Sequence, residues 1–140
     1  MENNFRIAVK SFIVKDNNVL LLKRRPNDPH KAGKWDIPGG RLELGEDPFT
    51  GIKRETKEET DLDIDIHMPL DIHHFTRDDG QKITMVTFLC KPITNYVILS
   101  KEHTEHLWIG LNKANSKLHS DFHEEIKIFN SYFSKQDASQ

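Results

Sequence analysis

The chain has 140 residues, 36% hydrophobic and 30% charged, with a formal net charge of −2. That length suits one domain with a sizeable core, and the charge balance gives no broad basic surface for duplex nucleic acid or a membrane. Cys90 is the single cysteine, so no internal disulfide can form, and no apolar run reaches membrane-spanning length.

Met1–Asn4 is polar and lacks the apolar core of a signal peptide, so the expected location is cytoplasmic. Phe5 to Val14 is rich in β-branched and aromatic residues and predicts a strand, closed by a turn at Asp16-Asn17-Asn18. Val19 to Lys23 is nearly continuous in apolar residues, the pattern of a strand covered on both faces. It ends in Lys23-Arg24-Arg25-Pro26, the densest basic cluster. Two readings stand there: Arg24 and Arg25 contact substrate phosphate, or they are the solvated end of a strand. Trp35 and Ile37 bracket Asp36, and Trp35 is read as core rather than as a ligand platform.

Gly39 and Gly40 follow Pro38, a tight turn at which the backbone can approach a ligand or a metal. Leu42 and Leu44 alternate with Arg41 and Glu43, which predicts a short strand before Gly45-Glu46. Asp47 is a helix cap and Pro48 suits the first helical position. The helix that follows carries Arg54-Glu55-Thr56-Lys57-Glu58-Glu59, and its three carboxylates fall within roughly one third of the circumference. Glu55 and Glu59 are like charges at i,i+4, costing a few tenths of a kcal/mol. A hard cation such as Mg²⁺ removes that penalty, because it takes oxygen ligands and keeps waters and substrate phosphates as the rest. The competing reading is a solvated face in which Arg54 pairs with Glu58.

This stretch resembles the signature of the Nudix hydrolase family: a glycine, five residues, Glu, seven residues, then Arg-Glu-x-x-Glu-Glu. Gly40, Glu46, Arg54, Glu55, Glu58 and Glu59 match it. Two positions depart from it. Thr56 stands where the family prefers an aliphatic residue, and it is expected on the buried face near Phe49 and Ile52, its hydroxyl bonded back to a helix carbonyl. Asp61 stands where a glycine usually ends the helix in the left-handed region, at an expected cost of about 1 kcal/mol.

Beyond the helix, Leu62, Ile64 and Ile66 alternate with Asp61, Asp63 and Asp65, the pattern of a strand buried on one face. Arg77-Asp78-Asp79-Gly80 signals a hairpin, with Ile83 to Cys90 as the returning strand. Tyr96 to Leu99 and Leu107 to Leu111 predict two more strands, and Cys90 is read as a buried, inert thiol. Ser120 or Asp121 is expected to cap a terminal helix that docks through Phe122, Ile126, Phe129 and Phe133. No histidine spacing suggests a zinc site: His103 and His106, three apart on a strand, face opposite sides.

The resemblance implies an α/β fold, the Nudix-type α/β/α sandwich around a central mixed β-sheet, as a single domain over residues 1–140 with a frayed tail at 135–140. It implies hydrolysis of a phosphoanhydride bond in a nucleoside diphosphate linked to another moiety, a nucleoside triphosphate first. The alternatives are ADP-ribose, a dinucleotide or an RNA 5′ end, or a catalytically silent Nudix-fold ligand sensor. The residues marking some substrate groups about fifteen positions past the signature are replaced by Arg77 and Asp78. Mg²⁺, or Mn²⁺ as a substitute, would be held by Glu55, Glu58, Glu59 and the Gly39 carbonyl. Gly40, Arg41, Arg24 and Arg25 are candidates for the nucleotide, and Arg54 for orienting the carboxylates. A loop over Ser100 to Trp108 is expected to supply a further carboxylate, Glu102 or Glu105, and either of these or Glu55 is the candidate general base. The expected partner is a small nucleotide, with no membrane, for a monomer or homodimer.

Overall fold

The two apolar N-terminal strands form the middle of a mixed sheet. The structure is a computed structural model, and it describes residues 4–134; the frayed tail expected at 135–140 lies outside them. β1 (Phe5–Lys15) runs parallel to β6 (Lys82–Pro92), and β5 (Ile64–Thr76) adds antiparallel to β6. On its other side β1 has two antiparallel partners in succession. β4 (Gly39–Arg41) pairs with its first half, and β2 (Asn18–Arg24) with its last residues. β2 in turn carries β3 (Trp35–Asp36) and β7 (His103–Gly110).

Alternate residues of the central strands feed two cores. Ala8, Phe12, Val19 and Leu21 pack with Leu118, Phe122, Ile126 and Phe129, below α2 (His123–Phe129). Val9, Ile13, Leu20 and Leu22 pack with Ile52 and Leu62, below α1 (Pro48–Thr60). With helices on both faces, the middle of β1 and of β2 is buried on both sides, and it is mostly apolar apart from Lys10 and Ser11. This is the mixed-sheet sandwich expected from the sequence.

α1 begins as predicted. Asp47 accepts from the Phe49 and Thr50 N–H groups, both at 2.9 Å, with Pro48 at the start of the helix. It ends at Asp61, whose φ of 62° is left-handed. Asp61→Gly is therefore expected to stabilise the protein by up to about 1 kcal/mol, read as a shift in denaturation midpoint with unchanged slope.

Several local expectations are corrected. The strand expected over Leu42 and Leu44 lies earlier, at Gly39–Arg41: Leu42 is buried against α1, but Leu44 is 73% exposed because the chain turns at Gly45. Thr56 is buried, but its hydroxyl meets Ser11 Oγ at 3.0 Å instead of a helix carbonyl. Phe49 is exposed and rests on Phe88, ring centres 5.5 Å apart. Tyr96 to Leu99 is not a strand; it passes the end of α1, where the Ile98 N–H donates to the Thr60 carbonyl at 2.9 Å and satisfies a helix terminus. β7 starts at His103, four residues before Leu107, because its polar first half completes the ladder to β2. α2 starts at His123 without a side-chain cap. Ser120–Phe122 forms a 3₁₀ turn in which the His119 ring accepts the Asp121 N–H.

Candidate active site

The glycine turn is fixed by the sheet before any acid reaches it. The Ser11 N–H donates to the Pro38 carbonyl at 2.8 Å, and β4 pairs Gly39 with Lys10 and Gly40 with Val9. Gly39 has a φ of 139°, and a Cβ there would stand 2.0 Å from the Val9 carbonyl oxygen. Only glycine fits, and the close approach lets its N–H reach α1. That N–H donates to Glu59 Oε1 at 2.8 Å. A Cβ on Gly40 would come within 3.0 Å of the Glu55 carboxylate, so both glycines bring backbone against the acids.

Glu59 is 4% exposed. Burial pushes its carboxyl up to about 8, against the pull of Lys10 and the Gly39 N–H, and the neighbouring Glu55 and Glu102 raise it further. Glu55 is also raised, first by burial, then opposed by Arg54 and reinforced by Glu58. Arg54 fastens the outer acids. It donates to Glu46 at 2.7 and 2.8 Å and to both oxygens of Glu58 at 3.2 Å, and lies 3.2 Å from Glu55. These bonds raise the Arg54 pKa and lower that of Glu46. Glu58 is therefore turned outward to Arg54, its side chain 59% exposed, while Glu55 and Glu59 face the glycine turn.

The two acids expected in one loop part company, Glu102 just before β7 and Glu105 within it. Oxygens of Glu59 and Glu102 and a ring nitrogen of His103 all lie within 4.8 Å of one another. Glu105 instead pairs with Lys23 at 3.2 Å on the exposed side of β7. Glu55 and Glu102 line a cleft of about 670 Å³ together with Gly39, Gly40, Arg41 and Arg54. Of the basic cluster, Arg24 reaches this cleft but is held by Asp36 and Asp28, both at 3.0 Å. Arg25 is not among the lining residues, and its Nε is buried without a hydrogen-bond partner. Arg41 donates to Gln81 at 2.8 Å from the rim.

One residue of this site went unread in the sequence. Lys10, 3% exposed, bonds the Ile37 carbonyl at 3.0 Å and lies 3.4 Å from Asp36. Burial lowers its pKa, and Asp36 opposes that. A lysine midway along a strand flanked on both sides by apolar residues was the available signal. The Cys90 thiol is pushed up to about 12 by burial, as an inert core residue should be.

A buried and a partly buried carboxyl side by side, both raised, with oxygen atoms turned to a backbone loop, are a donor set that fits a hard divalent cation. The fit has a consequence for pH. Glu59 titrates near 8 when folded and near 4.5 when free, so its stabilising effect is whole below about pH 4.5 and lost as pH rises through 8. The metal-free protein is expected to lose melting temperature between pH 5 and about 9, and a divalent cation held by these acids would restore more of it at each step. Thermal scans with and without Mg²⁺ check this.

Comparison with known proteins agrees with the geometry. The chain is 30% identical over 112 residues to a MutT-like protein of Streptomyces ambofaciens, covering 80% of this chain and 68% of that one. It is 34% identical over 124 residues to an ADP-ribose pyrophosphatase of Methanocaldococcus jannaschii, covering 88% and 72%. The crystal structure of a MutT protein from Methanosarcina mazei Go1 superposes with a TM-score of 0.81 at 29% identity, over 94% of this chain and 96% of that one. A NUDIX domain is matched over residues 4–129, and the chain belongs to the Nudix hydrolase family.

Proposed function

We propose that this pyrophosphohydrolase uses Mg²⁺ to cleave a phosphoanhydride bond in a nucleoside diphosphate linked to another group, a nucleoside triphosphate first. The observation that carries this is the pair Glu55 and Glu59, packed against the Gly39-Gly40 backbone, with Glu55 and both glycines lining the cleft and Glu59 buried behind them. Glu55, Glu59 and the Gly39 carbonyl would hold the ion, with Glu58 beside them. When bound, such an ion neutralises phosphate charge and lowers the pKa of its water.

The chain's own residues supply the rest. Arg54 orients Glu46, Glu55 and Glu58 rather than binding substrate, since its donors are spent on them. Arg41 and the Gly40 backbone are placed for the phosphates at the rim of the cleft, whereas the Arg24 guanidinium is engaged with Asp28 and Asp36. Glu102 is the general base: it lies in the cleft near Glu59, whereas Glu105 is bound to Lys23. Glu102→Gln is expected to lower kcat by about 10²- to 10⁴-fold and remove the acidic limb of the pH–rate profile. Glu105→Gln should stay near wild type; the reverse order would reassign the base.

A second reading, hydrolysis of ADP-ribose, is favoured by the relative that bears that name. Phosphate release in the presence of pyrophosphatase and Mg²⁺ over nucleoside triphosphates and 5′-triphosphate RNA, and AMP release from ADP-ribose and adenine dinucleotides, rank these substrates. Release from none of them would favour a ligand sensor. Among the described residues no helix is long and apolar enough to cross a membrane. The expected setting is the cytoplasm, as a monomer or homodimer.

A further inference from the structure

Histidine spacing alone gives no reason to place an imidazole among the acids. β7 changes that through an irregularity. Lys23 pairs with Glu105, but the next residue of β2, Arg24, pairs with His103, so Thr104 is the extra residue of a bulge. In an unbroken strand His103 and Glu105 would share a face. The bulge turns His103 inward, to 5% exposure, and leaves Glu105 outside with Lys23. No regularity of sequence announces this.

His103 then faces what the strand ladder does not need. One ring nitrogen lies within 4.8 Å of carboxylate oxygens of both Glu59 and Glu102. Its Nδ1 is buried with no hydrogen-bond partner. A buried nitrogen without a partner calls for an explanation. Donors that share one ion through bonds of about 2.1 Å stand about 3 to 4 Å apart, which modest side-chain rotation reaches from this arrangement.

We propose that His103 is a nitrogen ligand of the divalent ion in this site, which makes it a mixed nitrogen and oxygen centre that favours first-row transition ions such as Mn²⁺ over Mg²⁺. Carboxylates suit Mg²⁺ and Mn²⁺ alike, whereas imidazole adds affinity for the transition ion. The inference rests on the reading above, that Glu59 holds a cation.

The test uses the full chain, stripped with chelator and loaded with Mn²⁺, in pulsed electron paramagnetic resonance. The expected result is nitrogen modulation of the Mn²⁺ echo that changes on ¹⁵N labelling of histidine and disappears in His103→Ala. Calorimetry should show the Mn²⁺ over Mg²⁺ preference falling about tenfold or more in that variant. Bound Mn²⁺ with no histidine-nitrogen coupling in the wild type overturns the ligand role but leaves the carboxylate site standing. Failure of Mn²⁺ to bind the wild type at all overturns both. Should His103→Ala not fold, His103→Gln takes its place, and His73→Gln, in the other described group of histidine and carboxylates, should leave the coupling intact.

Discussion

Glu59→Gln is expected to lower turnover by about 10²- to 10³-fold and to abolish the stabilisation by Mg²⁺, with the circular dichroism spectrum unchanged. The fold should survive because an amide oxygen can still accept the Gly39 N–H that Glu59 Oε1 accepts at 2.8 Å. The variant should also lose the part of the metal-free protein's fall in stability with pH that Glu59 causes. Wild type carries a carboxyl that titrates near 8 in a buried site, and glutamine has no charge to bury. The metal-free variant should therefore melt higher than wild type at pH 9 and close to it at pH 5. Steady-state kinetics and melting curves across that range check both halves. Near-normal turnover would show that Glu59 is a structural acid.

Gly39→Ala should have the largest effect on stability. A backbone at φ 139° is open to glycine alone, and the added Cβ would stand 2.0 Å from the Val9 carbonyl oxygen and 2.7 Å from the Lys10 Cα. These are backbone atoms of the central strand, so no rotamer change relieves the clash. β4 must separate from β1, and the N–H that orients Glu59 goes with it. A loss of about 3 kcal/mol or more follows, from backbone strain together with broken ladder bonds. Chemical denaturation measures it. Any folded fraction should also have lost Mg²⁺ affinity, because the turn and the acid move together.

The ends of α1 and the side its acids share were legible because they answer to local rules. Asp47 caps, Pro48 starts the helix, Asp61 takes the left-handed end, and the spacing of Glu55 and Glu59 puts them on one side. The two central strands were legible for a related reason: Phe5 to Val14 is rich in β-branched and aromatic residues, and the nearly continuous apolar run of Val19 to Lys23 needs cover on both faces. What sequence could not give was set by pairing between distant segments. The division of Glu102 from Glu105 depends on one bulge opposite Lys23 and Arg24. Thr56 finds Ser11, 45 residues away, instead of its own helix. Tyr96 to Leu99 has strand composition but satisfies the end of α1, and Arg24, open in sequence to a phosphate contact or a solvated strand end, is instead bonded to Asp36 and Asp28.

The most direct test of the central claim is a crystal structure with Mg²⁺ and a non-hydrolysable nucleotide analogue. The ion is predicted between the carboxylates of Glu55 and Glu59, touching the Gly39 carbonyl and a phosphate oxygen. A nucleotide seated in the cleft with no ion against those acids, or with both carboxylates turned to solvent, would contradict it.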